Sequence, residues 1–192
     1  MKNIRWDLIS AAVDFYTREG FEYYELPWHV SRDTHTLISQ KRAHETFDGC
    51  LVGSAEQSFV QIMLDGNFPS VHGVGVTPCF RDDTPGKLHK REFMKVELFI
   101  GGRRKNFDVD GDNINFPERW LNQVIRSAKF FFDSINTQEL KLVQTEDGWD
   151  MTSNGIEIGS YGVRRSPTHI WVYGTGLAEP RWSTAQKEEM YY

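Results

Sequence analysis

CFRDDTPGKLHKREFMKVELF, residues 79–99, places an arginine and two acids before a loop of cations, and follows the loop with a segment in which apolar and chemically active residues alternate. Successive side chains of a strand point to opposite faces, so the alternation can be read on both sides of the loop. In VHGVGVTPCFRDD the even positions Val74, Val76, Pro78 and Phe80 are apolar, and the odd ones are Gly75, Thr77, Cys79, Arg81 and Asp83. In EFMKVELFI the even positions are Met94, Val96, Leu98 and Ile100, and the odd ones are Phe93, Lys95, Glu97 and Phe99. The pattern predicts a hairpin with one face for the core and one that gathers Arg81, Asp83, Phe93 and Glu97. A guanidinium forks onto paired phosphate oxygens, an aromatic ring stacks on a base, and a carboxylate accepts from an exocyclic amine. Lys87, His89, Lys90 and Arg91 fall in the connecting loop, placed to close over outer phosphates. The same residues equally suit an exposed hairpin with a solvated, charged tip.

A second segment bears on the choice. In VYGTGLAEPRW, residues 172–182, a strand runs into Gly174 and Gly176, and a helix is predicted from about Leu177 with Arg181 in its first turn. The glycines allow close backbone approach, and helix starts favour anions. The spacing fits neither dinucleotide-binding nor Walker fingerprints.

Working outward, residues 4–19 carry Ile4, Leu8, Ile9, Ala12, Val13, Phe15 and Tyr16, an apolar surface wider than one helical stripe that needs cover on two sides. Gly20 ends that helix and FEYYELP reads as a strand closed by Pro27. Further helices are predicted over Ala55 to Leu64, with Phe59, Ile62 and Met63 inward, and from Pro117 through Ile135, with its Trp and Phe residues in the core. LKLVQTE, DGWDM, GIEIGSYG and HIWVYG read as strands. Strands bunched between helices predict an α+β fold, an antiparallel sheet with helices on one face. No repeat or linker interrupts residues 1–192, so a single domain is expected.

The composition, 39% hydrophobic and 26% charged with no long polar tract, is that of a globular protein, and no window approaches a membrane span. No signal-peptide pattern opens the chain, which makes the cytoplasm the expected compartment. A net charge of −5 argues against a surface dedicated to wrapping nucleic acid, whereas local clusters at Lys87 to Arg91, Arg103 to Lys105 and Arg164 with Arg165 suit a small polyanion. Cys50 and Cys79 are too few for a disulfide framework and read as buried thiols. His29, His35, His44, His72 and His169 lack metal-ligand spacing and read as structural or exposed. Residues 106–115 lack the twelfth-position glutamate of a calcium loop and read as a turn.

These segments together resemble the catalytic domain of class II aminoacyl-tRNA synthetases, most closely the seryl branch. WDLISAAVDFYTREGFEYYELP matches the family's interface helix and proline-ended strand. FRDDTPGKLHKREF with MKVELF matches its aromatic-Arg loop motif, and GTGLAEPR its Gly-x-Gly and arginine motif. GSAEQSF resembles the loop around the substrate amine, and IEIGS the acidic metal-binding strand. The resemblance implies ATP-dependent activation of an amino acid. Arg81 would bind the α-phosphate and the substrate carboxylate. Phe93 and Arg181 would sandwich adenine, with Arg181 also reaching the γ-phosphate, Asp83 in the place of the glutamate that contacts adenine, and His89 at the outer phosphates. Gly174 and Gly176 would flank the nucleotide, and Glu157 would hold Mg²⁺. Ser54, Glu56, Glu97 and Ser160 would contact the amino acid. Strict alternation puts Glu157 and Ser160 on opposite faces, which a bulge at Gly159 would reconcile. The implied product is an aminoacyl adenylate handed to tRNA, a carrier protein or another amine or hydroxyl. The alternative is a catalytically silent paralogue that binds protein or RNA. The two-sided first helix matches the family's dimer helix and implies a homodimer.

Overall fold

The structure, a computed structural model, describes residues 4–39, 41–66, 70–86, 90–104, 116–135 and 138–187. Lys87, His89 and the proposed turn at 106–115 lie outside them. The elements in chain order are α1 (Trp6–Arg18), β1 (Glu22–Tyr24), β2 (His29–Val30), α2 (Arg32–Ile38), β3 (His44–Glu45), β4 (Cys50–Leu51), α3 (Ala55–Leu64), β5 (Ser70–Phe80), β6 (Glu92–Arg103), α4 (Phe116–Ile135), β7 (Leu140–Thr145), β8 (Gly148–Ser153), β9 (Ile156–Arg165), β10 (His169–Glu179) and α5 (Arg181–Lys187). Seven strands form one sheet in the order β1-β5-β6-β10-β9-β8-β7, antiparallel throughout except for the parallel pair β1–β5. A small second sheet has the order β2-β4-β3.

β5 and β6 pair in the register that the alternation requires, with Cys79 opposite Phe93, Thr77 opposite Lys95 and Gly75 opposite Glu97. Their even side chains, among them Val74, Met94, Val96, Leu98 and Ile100, join Ile9, Ala12 and Tyr16 of α1 and Val124, Ala128 and Phe132 of α4 in the larger core. On the odd side, Phe99 stacks on Phe59 of α3 with centroids 4.9 Å apart and planes at 11°, and Tyr24, Val60 and Met63 complete a second core. Each large apolar side chain buried in this way contributes about 2 kcal/mol.

Helices therefore sit on both faces of the sheet, not on one. α3 and its neighbour α2 cover only the part of the odd face around Phe99. Phe93 and Lys95, further along the same face, are left lining an open cavity. Two other expectations are corrected. β10 continues through Leu177 and Ala178 to Glu179, so α5 begins at Arg181, four residues later than read. Phe130 is 46% exposed on α4 rather than in the core, under the guanidinium of Arg126. Cys50 and Cys79 are buried, unpaired thiols.

Candidate functional site

The site depends on two irregularities in adjacent strands. Between β8 and β9, Thr152 faces Glu157 while Met151 faces Gly159, so Ile158 is an extra residue. Between β6 and β10, Thr175 faces Glu97 while Leu177 faces Val96, so Gly176 is another. A bulge changes the phase of the strand beyond it. Before Gly176, Tyr173 and Thr175 face the cavity; beyond it, Ala178 and Pro180 do, and Leu177 turns into the core. The bulge in β9 lets Glu157 and Ser160 both reach the cavity, with Ile158 rather than Gly159 as the inserted residue. Two buried tyrosines serve carbonyls at this irregularity: Tyr16 Oη donates to Gly176 O at 2.9 Å and Tyr161 Oη to Thr175 O at 3.0 Å.

The cavity has a volume of about 340 Å³. Arg81, Asp83, Phe93, Glu157 and Arg181 line it together with Ser54, Glu56 and Ser160. Arg81 Nε donates to Gly53 O at 2.7 Å, and its guanidinium lies over the Phe93 ring at 5.0 Å. Arg181 Nη1 donates to Glu157 Oε1 at 2.8 Å. Asp83 accepts from Lys41 Nζ at 2.6 Å, so an adenine amine would have to share or displace that lysine. At the α3 end, Ser54 caps the helix in a reciprocal capping box with Gln57. Two residues on, Glu56 Oε1 accepts from Trp171 Nε1 at 2.8 Å and lies 3.3 Å from Arg164 Nε. Burial pushes the Glu56 carboxyl up to about 7, with Arg164 opposing the rise.

Glu97, expected to touch ligand, is fully buried beneath the cavity. Its Oε2 takes Lys95 Nζ at 2.7 Å and Ser54 Oγ at 3.3 Å. Burial raises its pKa, which Lys95 counteracts. It supports the Ser54 and Lys95 groups that do line the cavity. Gly174 and Gly176 are not among the residues that line the cavity. A Cβ on Gly174 would stand 2.4 Å from Val124 Cγ1 of α4, and one on Gly176 would stand 2.8 Å from the Tyr16 ring of α1. These glycines admit the helices on the far face of the sheet. The cavity face of β10 carries Tyr173, Thr175, Ala178 and Pro180 instead.

The cavity is also lined by residues to which the sequence motifs assign no role. Lys95 stood on the odd face of β6 and could have been taken from that phase. Arg164 stands out in the sequence only as half of a basic pair with Arg165. His35 sits buried at the cavity wall on α2, a helix signalled by Ser31, whose hydroxyl accepts from Thr34 N at 3.1 Å. Among the described residues, seven lysine or arginine side chains line the cavity against four acids, in a chain whose net charge is −5.

This arrangement of strands and helices is shared with solved synthetases. Pyrrolysyl-tRNA synthetase PylSc of Desulfitobacterium hafniense aligns at a TM-score of 0.71 over 97% of this chain and 70% of its own, with 14% identity. Seryl-tRNA synthetase of Pyrococcus horikoshii, solved with ATP, aligns at 0.73 over 93% of this chain and 49% of its own, with 19% identity. The chain has the fold of a class II aminoacyl-tRNA synthetase catalytic domain. Cytoplasmic serine-tRNA ligase of Naegleria fowleri, solved with AMP, aligns at 0.70 over 93% of this chain and 46% of its own, with 16% identity. The chain thus spans about half the length of the two seryl enzymes. No protein-family profile matches it, and no curated protein sequence does. Among the described residues no helix is long and apolar enough to cross a membrane.

The class II resemblance implies a magnesium ion, and the donor set can be tested against it. Among the described residues no group of three or more His, Cys, Asp or Glu could hold a metal. Glu157 faces the cavity beside Arg181, and Asp150 stands close enough that burial and the Glu157 charge together raise its pKa. That set fits an ion shared between one or two carboxylates and ligand phosphates, the usual habit of magnesium, and does not fit an all-protein cage.

Proposed function

We propose that this protein activates an amino acid with ATP, forming an aminoacyl adenylate and releasing pyrophosphate. One observation carries the reading: Arg81 at the end of β5 and Arg181 at the start of α5, a hundred residues apart in the chain, line the same cavity. The excess of cations on its wall suits a triphosphate.

In the proposed step a carboxylate oxygen of the amino acid attacks the α-phosphorus. An O–P bond forms, the bond to the β-phosphate oxygen breaks, and pyrophosphate leaves. The nucleophile is already an anion, so no general base is required; orientation and charge stabilisation carry the rate. Arg81 neutralises charge growing on the α-phosphate and orients the attacking carboxylate. Phe93 and Arg181 hold adenine between them, with Asp83 at its edge. Ser54, Glu56 and Ser160 receive the amino acid. Magnesium, held by Glu157 and the phosphates, would supply charge neutralisation on the triphosphate. The acceptor of the activated amino acid is a hydroxyl or amine of tRNA, a carrier protein or another molecule.

Pyrophosphate exchange tests the reading. Wild type is expected to move label from pyrophosphate into ATP in the presence of its amino acid. Arg81→Ala is expected to lose that activity by a factor of at least about 100, the scale for removing one transition-state cation. No exchange with any amino acid, together with no ATP-induced thermal shift, would favour a silent protein- or RNA-binding module.

A further inference from the structure

Arg164 lies on β9 seven residues beyond Glu157, on the cavity wall. At about 3.3 Å per residue it stands roughly 20 Å along the strand from the Glu157–Arg181 pair. Its side chain is 35% exposed and makes three contacts to three different elements. Nε lies 3.3 Å from Glu56 Oε1 in the first turn of α3. Nη1 donates to Ile38 O at the end of α2 at 2.6 Å. The guanidinium plane rests over the Tyr173 ring of β10 at 5.0 Å.

The pattern on Glu56 is asymmetric. Arg164 and Trp171 both converge on Oε1, and among the described residues no hydrogen bond reaches Oε2. Glu56 is 3% exposed, yet it lines the cavity. One oxygen is anchored and the other is left for a ligand. A buried carboxylate with an open oxygen calls for a donor, and a cationic donor gains most there.

We propose that Arg164 is the positioning residue of the amine subsite: by fixing Glu56 Oε1 it keeps Oε2 aimed and ionised for the ammonium group of the ligand, and so sets both the affinity for the amine and the pH at which that affinity appears. This rests on the amino-acid-activating reading above. The charged and titratable groups facing Glu56 are Arg164 from β9, Tyr173 from β10, and Lys95 and Glu97 from β6, with Trp171 of β10 as a neutral donor. Burial and Glu97 favour the protonated acid; Arg164, Trp171 and Lys95 oppose them. Removing the Arg164 cation therefore moves ionisation of Glu56 to higher pH.

Pyrophosphate exchange, run from pH 6 to 9 with the amino acid that wild type uses best, reads this directly. In Arg164→Met, KM for the amino acid is expected to rise about tenfold or more while KM for ATP stays within about twofold. The acid limb of kcat/KM for the amino acid should move up by about one pH unit. Arg164→Lys keeps the charge and loses the Ile38 contact, so it should restore the limb and only part of the KM. ATP-induced thermal shifts on each variant establish that the nucleotide end is intact. Should Arg164→Met not fold, the lysine variant decides alone, since a displaced limb in it overturns the proposal. Equal rises in both KM values with the limb unmoved, or wild-type kinetics in Arg164→Met, overturn the positioning role and leave the activation reading standing. Absence of exchange in wild type with any amino acid overturns that reading, and the inference with it.

Discussion

Glu179 shows how a single residue can tie stability to pH. It ends β10 fully buried, with Oε1 accepting from Ser183 Oγ at 2.8 Å and Oε2 lacking a hydrogen-bond partner among the described residues. Burial pushes its carboxyl up to about 7, against the opposing influence of Ser183 and Arg5. The folded value lies above the unfolded one, so the stability this group contributes is complete below about 4.5 and is lost as pH rises through about 7. Above that pH a charge sits in the core with one oxygen unsatisfied. Glu179→Gln is expected to melt about 3 °C higher than wild type at pH 8 and close to wild type at pH 5, where both side chains are neutral. Thermal unfolding at the two pH values checks it; a difference that does not change with pH would mean that packing of the amide, not the charge, is responsible.

At the scale of the element, the two bulges decide which residues meet, and Gly174 offers a test of which face the strand glycines serve. A methyl group there would meet Val124 Cγ1 at 2.4 Å and the Tyr161 ring at 2.6 Å, both on the helix side of β10. Gly174→Ala is expected to destabilise by about 1–3 kcal/mol through overpacking, with the ATP-induced thermal shift retained. Unchanged stability with loss of the ATP shift would instead return the glycine to the nucleotide, as the sequence suggests. The hairpin was legible because period-two alternation holds from Val74 to Phe80 in β5 and from Phe93 to Ile100 in β6, a pattern no helix produces. Arg81, Phe93 and Lys95 follow from that phase. Glu157 and Ser160 could be brought together only by an inserted residue, and the sequence did not say that it was Ile158. LAEPRW suits a helix on sequence alone, whereas sheet pairing keeps Leu177 and Ala178 in the strand. Arg164 and His35 come to the cavity from segments with no pattern of their own: a strand distant in sequence and a seven-residue helix too short to show periodicity. Their places are set by tertiary contacts.

For the molecule as a whole, the first helix and the strand after it pose the question of association. α1 turns Ile9, Ala12 and Tyr16 into the core, while Leu8, Val13 and Phe15 are only partly covered and Trp6 is 59% exposed. α1 packs against β1, the edge strand of the large sheet, where Tyr23 is 50% exposed. An edge strand left open beside exposed aromatic rings is a surface that native proteins ordinarily cover. A second copy related by a two-fold axis would cover it with the same residues from the partner, an isologous contact that closes on itself and cannot propagate into filaments. We therefore expect a homodimer through α1 and β1 at micromolar concentration, twice the chain mass of 22.3 kDa by light scattering or sedimentation. Trp6→Glu together with Tyr23→Glu places four like charges across the two-fold, and should give the monomer while leaving the cavity, built from β5, β6, β9 and β10, able to bind ATP. A monomeric wild type would remove the dimer, and a variant pair that stays dimeric would move the interface to another face.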